Sequence, residues 1–283
     1  MERVGVLGCG LMGSGIAQVS AAAGYRVVVR ESSEELLRKG LMRIEGFLAT
    51  GVRRGKLDEA RKGETLARIH GTTQLNDFAA CDLIIEAIPE NLTLKQAAFR
   101  ELDAVAKPEA VLASNTSVLC ILELAMVTKR PEKVLGLHFF YPVPLMHLVE
   151  VIRSLVTSEA TFQCAADFAA TLGKEAVATV DKPGFVVNRL LSPYLMDAVR
   201  ALEEGIGTIA DIDKAMRLGC GYPMGPFTLL DFVGLDSALH AAEALYKEFR
   251  SPRFAPPTLL RRMVRAGFLG RKSGKGFYTY SEA

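Results

Sequence analysis

Two groups of residues in this chain have the types and spacing that do chemistry. Gly8-Cys9-Gly10-Leu11-Met12-Gly13 is a G-x-G-x-x-G run that lets backbone N–H groups approach a phosphate, and Glu31, about twenty residues on, is an acid placed to accept hydrogen bonds from a ribose. The second group rests on one of four histidines. His138 ends an apolar run, and Glu150 lies in the next such run. A neutral imidazole can take a proton from a reacting hydroxyl, and a carboxylate behind it fixes the tautomer and stabilises the imidazolium that forms. The same pair also reads as structure alone: a buried histidine satisfied by a backbone carbonyl, and a glutamate on the surface.

The elements that must position these groups follow from periodicity. Residues 4–7 form a short apolar strand, 14–23 a small-residue helix and 26–30 a second strand that ends on Glu31. Gly8 permits the tight turn, Gly10 leaves the backbone open to a pyrophosphate, and Gly13 lets helix and strand pack closely. The helix presents unpaired N–H groups and the positive end of its dipole to that pyrophosphate. Strand, glycine turn, helix, strand and acid together point to a bound dinucleotide. A carboxylate at position 31 suits a free 2'-hydroxyl and repels a 2'-phosphate, which favours NAD over NADP. Arg30, Ser32 and Ser33 are the residues that would favour a phosphate.

Ser32 or Ser33 caps a helix that runs toward residue 50, and Gly51-Val52-Arg53-Arg54-Gly55-Lys56-Leu57 reads as a basic break. Such a cluster is a solvated turn or, as a site, a contact for the phosphates of a bulky anionic substrate. Strands are expected at 68–72, 82–87, 111–114, 134–138, 147–152 and 176–180, with a turn or short helix at 77–80 and longer helices at 93–106 and 158–172. Their alternation points to a parallel sheet with right-handed crossovers, whose ligands sit at the carboxyl ends of the strands. Glu31, Glu90 and the run Ser114-Asn115-Thr116-Ser117 stand at such ends. Along 147–152 the even positions share one face, so if Glu150 looks into a site His147 does not. His70 precedes the aligned strands, and His240 falls in a later helical region.

Asp181-Lys182-Pro183-Gly184 marks a boundary beyond which strand signals stop. Helices are expected at 185–204, 209–217, 226–249 with a break, and 257–266. The fold class is α/β: a Rossmann-type doubly wound sheet over residues 1–183, followed by an all-α carboxyl-terminal domain over 184–283. A chain of 283 residues with 49% apolar residues has ample material for both cores. A net charge of +2 offers no broad basic surface, so nucleic acid is not an expected partner. No apolar leader opens the chain and no segment reaches the roughly 18 to 20 apolar residues of a membrane span, so a soluble, cytoplasmic protein is expected. The five cysteines lack any C-x-x-C, which suits reduced, buried thiols and neither a metal site nor a disulfide framework. Cys9 reads as filler of a variable position in the glycine loop.

The chain also resembles the L-3-hydroxyacyl-CoA dehydrogenase family, in particular its bacterial 3-hydroxybutyryl-CoA dehydrogenase members, over nearly its whole length. The resemblance rests on GCGLMGSGIAQ (8–18), EAIPENL (86–92), SNTS (114–117), GLHFF (136–140), PGFVVNRL (183–190), GYPMGPF (221–227) and GRKSGKGFY (270–278). It implies NAD-linked interconversion of L-3-hydroxyacyl-CoA and 3-oxoacyl-CoA. It places the base on His138, its orienting acid on Glu150, substrate-binding groups on Ser117 and Asn188, and cofactor contacts on the glycine loop, Glu31, Glu90, Lys95 and Asn115. Without it, Ser117 and Asn188 read as helix caps and Lys95 as a solvated helix residue. It lends support to Arg53, Arg54 and Lys56 as coenzyme A contacts and implies a homodimer paired through the second domain. Tyr141 is a departure: the family usually has Asn there, and a tyrosine hydroxyl reaches several ångströms further on a bulkier ring. Alternative readings are a dehydrogenase of an acyl-carrier-protein thioester or a free 3-hydroxy acid, or a dinucleotide-binding protein without turnover.

Overall fold

Eight short strands and the helices between them form the amino-terminal part of the chain. The computed structural model describes residues 1–280. The strands are β1 (Arg3–Leu7), β2 (Arg26–Arg30), β3 (Ile69–Thr72), β4 (Leu83–Glu86), β5 (Val111–Ser114), β6 (Val134–Phe139), β7 (Leu148–Arg153) and β8 (Glu175–Val180). They form one sheet in the order β3-β2-β1-β4-β5-β6-β7-β8. The order reverses between β1 and β4, which opens a crevice at the carboxyl ends of those strands. Its core is built from Val4, Val6, Val27, Val29, Leu83, Ile85 and the apolar faces of the flanking helices.

The sheet is not wholly parallel. β6 and β7 pair antiparallel, with His138 opposite Glu150, whereas β7 and β8 are parallel to each other. The reason is chain length: only residues 140–147 join β6 to β7. A parallel return needs a crossover of about a dozen residues or more.

Six helices flank this sheet: α1 (Leu11–Ala22), α2 (Glu34–Arg53), α3 (Glu59–Ala67), α4 (Leu92–Val105), α5 (Ile121–Ala125) and α6 (Glu159–Thr171). Ser33 caps α2, accepting from Leu36 N at 3.3 Å. The expected break at residue 51 is absent. Gly51 lies within the helix, which stops only where Gly55 takes φ +65°. One glycine costs a helix about 1 kcal/mol, too little to end one so long. α3 and α5 were not expected from periodicity. Asp58 caps α3, accepting from Arg61 N at 2.7 Å. α5 takes its cap from far along the chain: Asp181 accepts from Ile121 N at 2.8 Å and Leu122 N at 2.7 Å.

The chain divides into two compact units after Asp181. The second holds α7 (Val187–Glu203), α8 (Ile209–Cys220), α9 (Pro226–Val233), α10 (Leu235–Phe249) and α11 (Thr258–Arg265). Gly234, at φ +100°, supplies the break between α9 and α10. Leu195, Val199, Phe227, Leu230, Ala242 and Leu260 form this unit's own core. Among the described residues no helix is long and apolar enough to cross a membrane. All five cysteines are free, but Cys220 is exposed and Cys120 and Cys164 are only half-buried, which corrects the expectation of uniformly buried thiols.

Candidate active site

The glycine loop connects β1 to α1 with the geometry its sequence demands. Gly8 has φ +98°, and a Cβ on Gly13 would lie 1.8 Å from the Gly8 carbonyl oxygen. A Cβ on Gly10 would meet nothing within 4 Å, so the main chain there faces open space. The first helical bond of α1 is Ser14 N to Gly10 O at 3.0 Å, so the helix itself makes no use of the N–H groups of Leu11, Met12 and Gly13. These are the groups a pyrophosphate would occupy.

Glu31 follows β2 and turns back to the loop. Its Oε1 accepts from Cys9 N at 2.7 Å and its Oε2 from Ser32 N at 3.0 Å. Each carboxylate oxygen has a second lone pair, so the acid is fixed in place yet still able to accept from a ribose. Two of the residues that would favour a 2'-phosphate have partners of their own: Arg30 Nε donates to Thr73 O at 3.2 Å and Ser33 caps α2. Cys9 is buried, and Gly40 of α2 sits so close that a Cβ there would lie 2.2 Å from its sulfur. Burial, then the Glu31 charge, push the Cys9 thiol up to about 12 against the opposing pull of Arg43. It is packing between loop and helix, not a nucleophile. Taken together, the open Gly10 backbone, the unused N–H groups and the pre-set acid fit a dinucleotide with a free ribose diol.

Further along the same rim, β4 and β5 end in polar groups. Lys95, on α4, is 1% exposed, so it is not a solvated helix residue. Its Nζ donates to Glu86 Oε1 at 2.5 Å and Ile88 O at 3.1 Å, and lies 3.3 Å from Glu90 Oε2. Glu90 Oε1 in turn accepts from Thr116 Oγ1 at 2.5 Å and Ser117 N at 3.0 Å. Ser117 therefore belongs to this network; the cap position of α5 is Cys120. Asn115 Oδ1 accepts from Phe139 N at 2.9 Å and ties the end of β5 to the end of β6.

His138 is 6% exposed and Glu150 is fully buried. Being cross-strand partners in an antiparallel pair, they project to the same side of the sheet. Glu150 Oε2 lies 2.7 Å from His138 Nδ1. The ring of Phe140 packs against the imidazole at a centroid distance of 4.4 Å. His70, His147 and His240 are all exposed.

Other expected site residues lie elsewhere. Tyr141 is 46% exposed in the loop between β6 and β7. Arg53, Arg54 and Lys56 are exposed at the carboxyl end of α2, about 30 Å along that helix from Glu31 by its rise of 1.5 Å per residue. Asn188 is half-buried in the first turn of α7, whose cap position is Val186, so it is not a cap. Glu86 was missed in the sequence, and Thr116 was named there only as part of the polar run 114–117, without a role of its own. A carboxylate closing the run Leu83-Ile84-Ile85 was the available signal for Glu86.

A switch-point crevice, a glycine loop held by Glu31 and an imidazole paired with a buried carboxylate fit what an NAD-linked oxidoreductase needs. The family described as "3-hydroxyacyl-CoA dehydrogenase, NAD binding domain" matches residues 3–182, and its C-terminal domain matches residues 184–280. The chain belongs to the 3-hydroxyacyl-CoA dehydrogenase family, and NAD is its cofactor. It is 50% identical over 282 residues to a 3-hydroxybutyryl-CoA dehydrogenase of Mycobacterium tuberculosis, covering 99% of each chain. The crystal structure of M. tuberculosis FadB2 matches with a TM-score of 0.98 at 49% identity over 99% of each chain. That of (S)-3-hydroxybutyryl-CoA dehydrogenase from Ralstonia eutropha matches with a TM-score of 0.95 at 43% identity over 100% of each chain.

Proposed function

We propose that this chain reversibly oxidises short L-3-hydroxyacyl-CoA thioesters, 3-hydroxybutyryl-CoA among them, to the 3-oxoacyl-CoA, with His138 as the base. The observation that carries this reading is the 2.7 Å contact between His138 Nδ1 and the fully buried Glu150. Glu150 accepts from Nδ1–H, which makes Nε2 the nitrogen that takes the proton from the C3 hydroxyl. The same carboxylate stabilises the imidazolium as it forms. NAD, when bound, supplies the hydride acceptor. Glu31, the glycine loop, Glu90, Lys95 and Asn115 hold and orient it, while Ser117 hydrogen-bonds a substrate oxygen; the resemblance to the family implies a substrate contact for Asn188 as well. Tyr141 lies two residues beyond β6 and bounds the acyl group. The Arg53, Arg54 and Lys56 cluster at the carboxyl end of α2 is exposed and cationic, which suits the phosphates of coenzyme A. The names of the relatives support the acyl-CoA class, the bacterial relatives are consistent with a place in the cytoplasm, and the resemblance to the family implies a homodimer paired through the helical unit.

The test is to mix the protein with NADH and acetoacetyl-CoA and follow the loss of NADH absorbance. Consumption is expected, and His138→Gln lowers kcat by about 10²–10⁴-fold, the range of general acid–base catalysis. No consumption with any 3-oxoacyl thioester, despite NADH binding, defeats the reading. Full turnover by His138→Gln defeats the mechanism alone.

A further inference from the structure

The proposed mechanism gives no role to Glu86, yet this carboxylate is fully buried at the carboxyl end of β4, at the switch point of the sheet. A strand end that needed only packing would carry an aliphatic side chain there, because removing an ion from water costs several kcal/mol. Glu86 is instead held by three donors. Lys95 Nζ at 2.5 Å and Ile88 N at 2.8 Å reach Oε1, and Ser114 Oγ at 2.6 Å reaches Oε2.

From Lys95 a chain of contacts leads outward. The ammonium lies 3.3 Å from Glu90 Oε2, whose side chain is 24% exposed. Glu90 Oε1 accepts from Thr116 Oγ1 at 2.5 Å and Ser117 N at 3.0 Å, and lies 3.5 Å from Ser117 Oγ. Thr116 Oγ1 also accepts from Leu119 N at 2.9 Å, which closes the turn that presents Ser117. One ammonium thus serves two carboxylates, with the shorter contact to the inner one.

We propose that Glu86 is a positioning residue: by holding Lys95 it sets where Glu90 sits, and through Glu90 where Ser117 presents its hydroxyl. This rests on the functional reading above for the importance of Ser117, Glu90 and Lys95. Glu86 touches neither substrate nor cofactor in this account. Its effect must pass through Lys95, and that dependence is measurable as coupling.

The experiment compares full-length wild type, Glu86→Gln, Lys95→Met and the double variant in NADH-dependent reduction of acetoacetyl-CoA, with Glu86→Asp as the conservative variant. Glu86→Gln and Lys95→Met each lower kcat/KM by about tenfold or more, and the double variant is no worse than the weaker single, a coupling of the size seen for residues in one network. Glu86→Asp keeps the charge and recovers part of the loss. A merely structural role would lower melting temperature and leave the losses multiplicative. If Glu86→Gln does not fold, Ser114→Ala, which removes one donor and keeps the charge, lowers kcat/KM by about threefold, and the loss vanishes in the Lys95→Met background. Wild-type kinetics in Glu86→Gln, or losses that multiply, overturn the proposal and leave the function standing. If wild type turns over no thioester the function falls instead. The coupling is then read in the NADH dissociation constant, where its absence overturns the proposal too.

Discussion

Burial separates the four histidines more sharply than their places in the sequence do. Only His138 is withdrawn from water, and only it has a carboxylate at 2.7 Å. Glu150→Gln keeps the shape of the pair and removes the charge that favours an imidazolium, so kcat is expected to fall by about 10²–10⁴-fold with a much smaller change in KM, read by steady-state kinetics. Cysteine chemistry follows the same logic of environment. Burial pushes the Cys9 and Cys81 thiols up to about 12, while Cys220 stands exposed at the end of α8. Titration of the folded protein with a disulfide reagent near pH 8 is expected to label Cys220 first and to spare Cys9 and Cys81 until denaturant is added, with labelled peptides identified by mass spectrometry. The cysteine in the glycine loop is thus, like Cys81, inert.

At the scale of elements, the start of β1 is pinned by the residue just before β4. Asp82 Oδ2 accepts from Glu2 N at 2.6 Å and Arg3 N at 2.9 Å, and its Oδ1 pairs with Lys107. Burial would raise this carboxyl, but the bonds from Arg3, Lys107 and Glu2 outweigh it and hold Asp82 down to about 2. Its folded value lies below the unfolded one, so the contribution to stability is full above about pH 4 and is lost as pH falls toward 2. Water reaches the carboxylate, which limits that contribution to about 1 kcal/mol. Urea unfolding of wild type and Asp82→Asn is expected to differ by about that amount at pH 6 and to converge only as pH falls to about 2 and below. The elements also show where local pattern stops informing. β1, β2 and β4 were legible because each is a short apolar run next to a glycine or an acid, and β5 because Pro108 closes the helix before it, while α5 has five residues and owes its start to Asp181, sixty residues away. The direction of β7 depended on the length of a loop, not on the pattern of the strand.

For the whole molecule, two cores in one chain make ligand linkage the informative measurement. A ligand that binds only the folded protein stabilises it by RT ln(1 + [L]/Kd), about 2.7 kcal/mol at one hundred times Kd. NADH at that excess is expected to raise the melting temperature of full-length protein. The same concentration of NADPH is expected to raise it far less, because Glu31 is already fixed by Cys9 N and Ser32 N and would face a 2'-phosphate. Equal shifts for both nucleotides would contradict the ribose assignment. The alternation of strand and helix, the glycine turn with its closing acid, the helical second half and the candidacy of His138 were all determined by the sequence alone. Each is encoded in residue types within a turn or a strand of one another, through φ preference, side-chain period and capping. The tertiary structure alone decided that β7 runs against β6 so that Glu150 falls opposite His138, and that Lys95 is buried between Glu86 and Glu90. Those pairings join residues whose separation along the chain carries no local signature; register and packing bring them together, because a buried charge must find its partner wherever the fold supplies one.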